Sequence, residues 1–244
     1  MPAIRDTLNI FARQFSLALH NSTRVRLGGP LAPPEDADPD ALRASDAHLP
    51  GTGWIVGVAA CLVFALVGLL LRASPWGAAA AAVVSTILTV VITGARHESA
   101  AFRAAERLGS GHGFGVLAVV LLLAGKIVLL AAIASVSEAG VLAALFAAHV
   151  TSRFAPVVAS RWLGDRHDVR ALRIGALWCL APLLLMFPAS GWAFPVLAFL
   201  LAASICYGVL RLWERRFGPG AQEDASALQQ VWELAFYLGA AIGA

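Results

Sequence analysis

The sequence predicts an all-α protein, a polytopic membrane bundle of six transmembrane helices with an N-terminal amphipathic helix and a short C-terminal apolar helix. Of the 244 residues, 59% are hydrophobic and 14% are charged, whereas soluble domains have about 45–50% apolar and about 25% charged residues. The mean hydropathy is +0.76, and the apolar residues fall in long runs. Because a water-soluble fold of this size cannot bury so many apolar residues, the composition excludes a soluble enzyme, a disulfide scaffold and a disordered protein.

The first 50 residues contain two segments that precede the predicted spans. Residues 1–27 place Ile4, Leu8, Phe11 and Phe15 at helical spacing, which is typical of an amphipathic helix on a membrane surface. Charged residues interrupt this stretch, so we expect no cleavable signal peptide. Residues 28–50 are rich in proline, glycine and acids, and this composition predicts a solvated linker. Residues 51–244 then form a single transmembrane domain.

Six apolar runs approach the roughly 20 residues that a helix needs to cross about 30 Å of hydrocarbon. The predicted spans are residues 54–71, 76–94, 114–134, 141–159, 174–188 and 192–210. A seventh run, 231–244, is too short for a comfortable crossing. It is a tilted span, a re-entrant segment or an interfacial helix. Three cysteines lie far apart inside apolar runs, and we interpret them as small apolar side chains with no metal or disulfide pattern.

The basic residues indicate the orientation of the chain. Fifteen of the 18 Lys and Arg residues lie before the first predicted span or in the second, fourth and sixth connections, while the alternate connections contain only Arg72. Basic residues concentrate on the cytoplasmic side of membrane proteins. We therefore expect a multi-pass protein of the inner membrane with a cytoplasmic N-terminus. Since most of its positive charge sets topology, we expect no nucleic-acid partner.

The connection at residues 95–115 contains side chains that are typical of catalytic sites. His97, Glu98, Glu106 and His112 are candidates for a general base or for metal ligands. Alternating glycines, among them Gly111, Gly113 and Gly115, directly precede the third span, where backbone N–H groups can bind a phosphate. The alternative is that these residues form only a solvated, flexible cap on a membrane helix.

Two cations lie inside predicted spans. Lys126 is midway along the third span, and Arg153 follows Ser152 in the fourth. A charge at such a depth is costly unless it is paired or lines a wet cavity. Glu233 is the only plausible acid within the membrane, so two cations face one acid. This imbalance predicts a site for an anionic ligand, and the alternative is that Lys126 extends toward the membrane surface.

Five segments carry a family resemblance, in order along nearly the whole chain. They are residues 46–71, residues 93–97 with His97, residues 114–118 with the later Lys126, the pair Ser152 and Arg153, and residues 218–233. Together they resemble the adenosylcobinamide-GDP ribazoletransferases, the membrane-embedded cobalamin synthases. The chain resembles a shortened and divergent member, because residues 97–103 lack the aspartate-rich run that follows the histidine in the family.

The resemblance implies an activity and a set of site residues. The family transfers a phosphocobinamide group from GDP-cobinamide to α-ribazole, releases GMP and requires Mg²⁺. Carried onto this chain, His97, Arg153 and Lys126 are the expected catalytic residues. The expected substrate-binding residues are Gly111, His112, Gly113, Gly115 and Ser152, and the expected metal ligands are Glu98, Glu106, Glu223 and Glu233.

Two other functions remain open from the sequence. The chain is alternatively a catalytically inactive relative that acts as a membrane binding or assembly subunit, as a homo-oligomer or with proteins of the corrinoid pathway. The second alternative is a small transporter in which Lys126 and Arg153 line a pathway. A transporter of this kind typically has inverted halves with broken helices, and no internal repeat is evident in this sequence.

Overall fold

The computed structural model describes residues 2–33, 37–109, 113–162, 169–218 and 225–244, and these residues contain helices and turns but no strand. The α-helices are α1 Pro2–Ser22, α2 Pro39–Ser45, α3 Leu49–Leu70, α4 Gly77–Thr93, α5 Arg96–Leu108, α6 Phe114–Val136, α7 Glu138–Thr151, α8 Ala155–Trp162, α9 Val169–Ser190, α10 Ala193–Phe217 and α11 Leu228–Gly243. Short 3₁₀ turns form at Gly29–Leu31 and Asp46–His48.

Five of these segments are long and apolar enough to cross a membrane. They are Pro39–Leu70, Phe114–Val136, Glu138–Trp162, Val169–Ser190 and Ala193–Phe217. A sixth crossing is counted if α4 and α5, which are bent by 90° relative to each other, are taken together; the apolar α4 would supply that crossing. The prediction of an all-α, polytopic membrane bundle is thus confirmed for the described part of the chain.

The bundle has two chemically different ends. At one end the Arg24 amide donates to the Ile92 carbonyl, 2.7 Å away, and the Arg107 guanidinium lies 4.4 Å from the centroid of the Phe217 ring. We call this the polar end; α4, α7 and α10 end there, and α6 and α11 begin there. At the opposite end the Ser137 hydroxyl donates to the Ala189 carbonyl, 3.4 Å away.

The turn between α4 and α5 places α5 across the polar end. Gly94 and Ala95 both have positive φ, +66° and +55°, and the chain turns by 90° between α4 and α5 at these two residues. Such a conformation is easy for glycine and unfavourable for alanine. α5 is amphipathic, and its alanines Ala100, Ala101 and Ala104 pack on the bundle. We place α5 outside the membrane-spanning segments on this basis.

The fourth predicted span differs from the observed helices. The sequence predicts one helix over 141–159, but α7 ends at Thr151 and α8 begins at Ala155, with Ser152 and Arg153 in the break. α3 packs closely against α7 just before this break, where a Cβ on Gly53 would overlap the His149 carbonyl oxygen. Apolar composition does not reveal such a break, since the residues on both sides of it remain apolar.

The C-terminal helix α11 lies inside the bundle, against α10, α6 and α7. It runs antiparallel to α10: a Cβ on Gly239 would overlap the Leu197 carbonyl oxygen, and one on Gly243 would lie 2.9 Å from the Phe194 Cα. Among the three alternatives for residues 231–244, this burial argues against an interfacial helix. With 16 residues, α11 is about 24 Å long, and it extends from the polar end to the start of α10.

The N-terminal region packs on the bundle more closely than its sequence predicts. The last turns of α1 bury Leu17, Ala18 and Leu19, and the Ser22 hydroxyl donates to Thr52 Oγ1 of α3 at 3.1 Å. Residues 28–50, predicted as a solvated linker, contain α2 and a 3₁₀ turn that ends at the fully buried His48. Composition predicts that residues 28–50 are exposed because it carries no information about their contacts with the bundle.

Candidate functional site

A carboxylate lies at the centre of the buried polar residues. Glu233 of α11 accepts from the Lys126 ammonium of α6, with Nζ 2.6 Å from Oε2. Its other oxygen, Oε1, accepts from the Ser152 hydroxyl at 3.0 Å and from the Gln229 amide at 3.2 Å, and it lies 3.4 Å from His149 Nδ1. Both oxygens are therefore engaged, which is the condition for keeping a carboxylate buried.

The network continues from Lys126 to α5. The Lys126 ammonium also donates to Gln230 Oε1 of α11. The amide nitrogen of Gln230 in turn donates to Glu98 Oε1 at 2.9 Å. The second oxygen of Glu98, Oε2, is buried and has no hydrogen-bond partner among the described residues. A continuous polar chain thus connects the middle of the bundle with the helix that covers its polar end.

A cavity of about 490 Å³ opens beside this network at the polar end. Residues of α1, α5, the α7–α8 break and α11 line it, among them Asn21, Arg96, His97, Arg103, Arg153 and Gln229. Arg153 is 2% exposed. Its Nη1 donates to the His149 carbonyl one turn earlier, while its Nε and Nη2 have no partner in the described structure.

The electrostatics of this cavity favour an anionic ligand. A buried guanidinium with unpaired N–H groups is costly, and a phosphate or carboxylate would bind those donors in the bidentate geometry that arginine offers. Both ring nitrogens of His97 are also buried, and neither has a hydrogen-bond partner among the described residues. Burial and, to a smaller extent, the nearby Arg153 charge lower the pKa of His97 to about 3, so the imidazole is neutral at pH 7.

A second cavity, of about 410 Å³, lies on the other side of α8. Its lining is almost entirely apolar and rich in aromatic rings from α8, α10 and α11, including Phe154, Trp162, Phe199, Tyr207 and Trp232. The two cavities share a wall, since Arg153 and Pro156 line the polar cavity while Phe154 and Val158 line the apolar one. The helix break therefore separates a polar compartment from an apolar one.

The predicted site residues occupy three places. His97 and Arg153 line the polar cavity, and Ser152, Lys126, Glu98 and Glu233 belong to the buried network. Glu106 lies near the end of α5, and its Oε1 accepts from the amides of Gly113 and Gly115 at the start of α6, at 3.1 and 2.6 Å. The predicted site residues Gly111, His112 and Glu223 lie outside the described residues.

The carboxylates predicted as metal ligands do not meet in one place within the described part of the chain. No three His, Cys, Asp or Glu side chains come together there in a way that would hold a metal ion. Glu106 caps α6, and Gln230 bridges the gap between Glu98 and the Lys126–Glu233 pair. These described residues do not fit a protein-built magnesium site.

Sequence reasoning missed three polar members of the network. Gln229 donates to Glu233 and Gln230 accepts from Lys126, while His149 Nδ1 lies 3.4 Å from Glu233 Oε1 without forming a hydrogen bond in the described structure. Gln229 and Glu233 are four residues apart and therefore share a helix face. The available signal was the presence of two glutamines and a glutamate at the start of an otherwise apolar helix.

Replacing Glu106 tests its role as a helix cap. Glu106→Ala removes the acceptor for two amides at the start of α6 and a negative charge at the helix N-terminus, so we expect a loss of about 1–2 kcal/mol in the free energy of unfolding. Glu214→Ala is the control, because Glu214 forms a half-exposed pair with Arg211 and should change stability by less than about 1 kcal/mol. Denaturant unfolding of purified protein gives both values. An Mg²⁺-dependent loss of function with unchanged stability would instead favour Glu106 as a metal ligand.

The fold and the site define a helical membrane protein with a buried polar network beside a cavity lined by arginine and histidine side chains. The model of the cobalamin-5-phosphate synthase family matches residues 14–113. The adenosylcobinamide-GDP ribazoletransferase of Polaromonas naphthalenivorans is 33% identical over 95% of this chain and 98% of its own. That of Albidiferax ferrireducens is 33% identical over 96% and 99%. No solved structure matches the chain at a significant level.

The chain therefore belongs to the adenosylcobinamide-GDP ribazoletransferase family, the cobalamin synthases. The resemblance drawn from the five sequence segments is confirmed. This membership supports a role in cobalamin biosynthesis, and it does not favour a transporter or an inactive relative.

Proposed function

We propose that this protein transfers the phosphocobinamide group of adenosylcobinamide-GDP to α-ribazole and releases GMP, with the donor's pyrophosphate bound in the polar cavity. The single observation that carries this proposal is the buried Arg153, which lines a cavity of about 490 Å³ and whose Nε and Nη2 have no partner within the described part of the chain. Arginine binds phosphate oxygens through paired N–H groups and keeps its charge when buried. A guanidinium here also stabilises the negative charge that develops on GMP as it leaves.

We assign His97 as the acceptor of the proton from the attacking hydroxyl, because the negative charge of a bound pyrophosphate would offset the Arg153 charge that lowers the basicity of this imidazole. It lines the same cavity as Arg153, and both of its ring nitrogens are available. In the proposed step the 5′-oxygen of α-ribazole attacks the phosphorus that carries cobinamide. A new P–O bond forms as the bond to the GMP oxygen breaks, GMP leaves with the electron pair, and the hydroxyl proton passes to the neutral imidazole.

The apolar cavity on the far side of α8 suits the acceptor. A nucleoside brings a flat aromatic base, which stacks favourably on aromatic side chains, and Trp162, Tyr207 and Trp232 line this cavity. The shared wall at the α7–α8 break keeps this compartment next to the proposed pyrophosphate site.

Filling the apolar cavity should raise the KM for α-ribazole. Ala203→Phe places a ring in the cavity that Ala203 lines, and we expect about a tenfold higher KM for α-ribazole, equivalent to about 1.4 kcal/mol, with little change for the donor. Ala181→Phe is the matched control, because Ala181 is exposed on α9. Steady-state kinetics with each substrate varied in turn tests whether the apolar cavity binds α-ribazole. An equal rise in both KM values would contradict the assignment.

The distribution of charge supports a membrane orientation. We place the protein in the inner membrane with its N-terminus and the polar end in the cytoplasm, because Lys and Arg concentrate in the segments that meet at that end and only Arg72 lies in the alternate connections. The nucleotide substrate would then reach the polar cavity from the cytoplasm. Labelling of single cysteines introduced at Arg72 and Arg103 by a membrane-impermeant reagent tests this orientation.

A requirement for Mg²⁺ stays a prediction. The family resemblance implies it, whereas the described carboxylates do not form a cluster, so no step of the proposed mechanism depends on a bound metal. The test is the rate of GMP release with Mg²⁺ and with a chelator present.

The decisive experiment is a reconstitution with purified protein. We expect GMP release and a cobalamin product when the protein in lipid vesicles receives adenosylcobinamide-GDP and α-ribazole. An active family member serves as the positive control under the same conditions. Thermal stabilisation by the donor without GMP release would identify an inactive binding subunit. The absence of both stabilisation and GMP release would refute the proposed function.

A further inference from the structure

We infer that the buried Lys126–Glu233 pair is a clamp that positions Arg153, and that neither residue of the pair contacts the ligand. This inference rests on the proposed role of Arg153 in anion binding. The clamp comprises Lys126 of α6, Glu233 of α11, and the two residues of the α7 end that Glu233 contacts, His149 and Ser152.

Glu233 contacts two residues that precede Arg153 in the chain. Ser152 directly precedes Arg153, and its hydroxyl donates to Glu233 Oε1 at 3.0 Å. His149 lies one turn earlier, with Nδ1 3.4 Å from the same oxygen, and its carbonyl accepts from Arg153 Nη1. Glu233 therefore holds the end of α7 at two points, His149 and Ser152, directly before Arg153. The result is that Nε and Nη2 remain unpaired beside the cavity.

The Lys126 ammonium neutralises the Glu233 carboxylate, so the Arg153 guanidinium is not needed as its counter-ion. Glu233 acts electrostatically on both Lys126 and Arg153, but its direct ionic contact is with Lys126, at 2.6 Å. Without Lys126, the buried carboxylate would lack this partner, and the nearby guanidinium would become its counter-ion. Arg153 would then turn toward Glu233 and away from the cavity.

The position of Lys126 also argues against a direct contact with the ligand. The Lys126 residue is 4% exposed, and its ammonium already donates to Glu233 and Gln230. Lys126 does not belong to the lining of the polar cavity, whereas Arg153, His97 and Gln229 do. A lysine that is buried, paired and absent from the cavity wall acts through its partner.

A double-mutant cycle separates positioning from direct binding. The affinity of adenosylcobinamide-GDP is measured by titration for the wild type, Lys126→Met, and Lys126→Met combined with Glu233→Gln. We expect Lys126→Met to weaken binding about tenfold or more, because it leaves a buried anion that attracts Arg153. The double variant removes both charges while keeping an acceptor for Ser152. We expect its affinity to return to within about threefold of the wild type.

The outcomes distinguish the clamp from its alternatives. A double variant that binds as weakly as Lys126→Met would overturn the inference, since Lys126 would then contribute to binding directly and not by neutralising Glu233. Arg153→Met combined with Glu233→Gln is the matched control and should stay weak. If Lys126→Met fails to fold, the comparison of the double variant with the wild type still tests the clamp. A loss of donor affinity of more than about tenfold in the double variant contradicts it. Normal binding by Arg153→Met alone would refute the proposed anion site itself, and the clamp with it.

Discussion

Replacing Arg153 with methionine is expected to weaken the binding of adenosylcobinamide-GDP by about a hundredfold, which corresponds to about 2.7 kcal/mol. The physical reason is that the buried guanidinium presents two unpaired nitrogens to the polar cavity. Methionine retains most of the side-chain volume but has no charge and no N–H group. Titration of the purified protein with the donor nucleotide measures the change.

The same substitution should leave the fold intact or stabilise it. Arg153 is 2% exposed and has incomplete hydrogen bonding, so its removal relieves a buried, partly unsatisfied charge. The thermal midpoint without ligand should therefore be unchanged or higher. Arg215→Met, on the exposed surface of α10, is the control and should bind normally. A fall in stability together with normal ligand affinity would assign Arg153 a structural role.

Replacing His97 with glutamine is expected to lower kcat by about 10²–10⁴-fold, the usual contribution of a general base. His97 lines the polar cavity, and both ring nitrogens lack partners, so the neutral imidazole is available to receive the proton of the attacking hydroxyl. Glutamine keeps hydrogen-bonding groups but does not take up that proton. The KM for the donor should change by less than about threefold, because the substitution leaves Arg153 in place.

The initial rate of GMP release under saturating and limiting donor separates these parameters. His20→Gln is the matched control, since His20 lies on α1 and is not part of the cavity lining. A variant of His97 with normal kcat and a strongly raised KM would show that the imidazole binds substrate and does not accept the proton.

The membrane spans are the part of the fold that sequence reasoning predicts well. Hydrocarbon has a fixed thickness and tolerates few charges, so each crossing leaves a long apolar run such as the one that becomes α6. The break at Ser152 and Arg153 has no comparable signature in the sequence. Backbone hydrogen bonding continues there through short turns, with the Phe154 amide donating to the Thr151 carbonyl at 3.0 Å, and the sequence next to the break stays apolar.

In the candidate site, too, some features could be predicted from the sequence and others could not. Lys126 and Glu233 stand out in the sequence because each is an ionisable residue in an apolar context. Their separation of 107 positions gives no hint that they form one ion pair, and Lys126 without a partner suggests a ligand contact. Glu106 resembles a metal ligand in the sequence, whereas in the structure its carboxylate is a cap on α6.

The sequence by itself determined that this protein is a helical membrane protein, which end of it concentrates positive charge, and which family it resembles. These properties depend on composition and local order along the chain, which the bilayer constrains directly. Only the tertiary structure decided which cation is neutralised and which one is left with unpaired nitrogens. That choice depends on the contacts of α11 with α6 and α7, and pairing across such distances in the chain is set by packing.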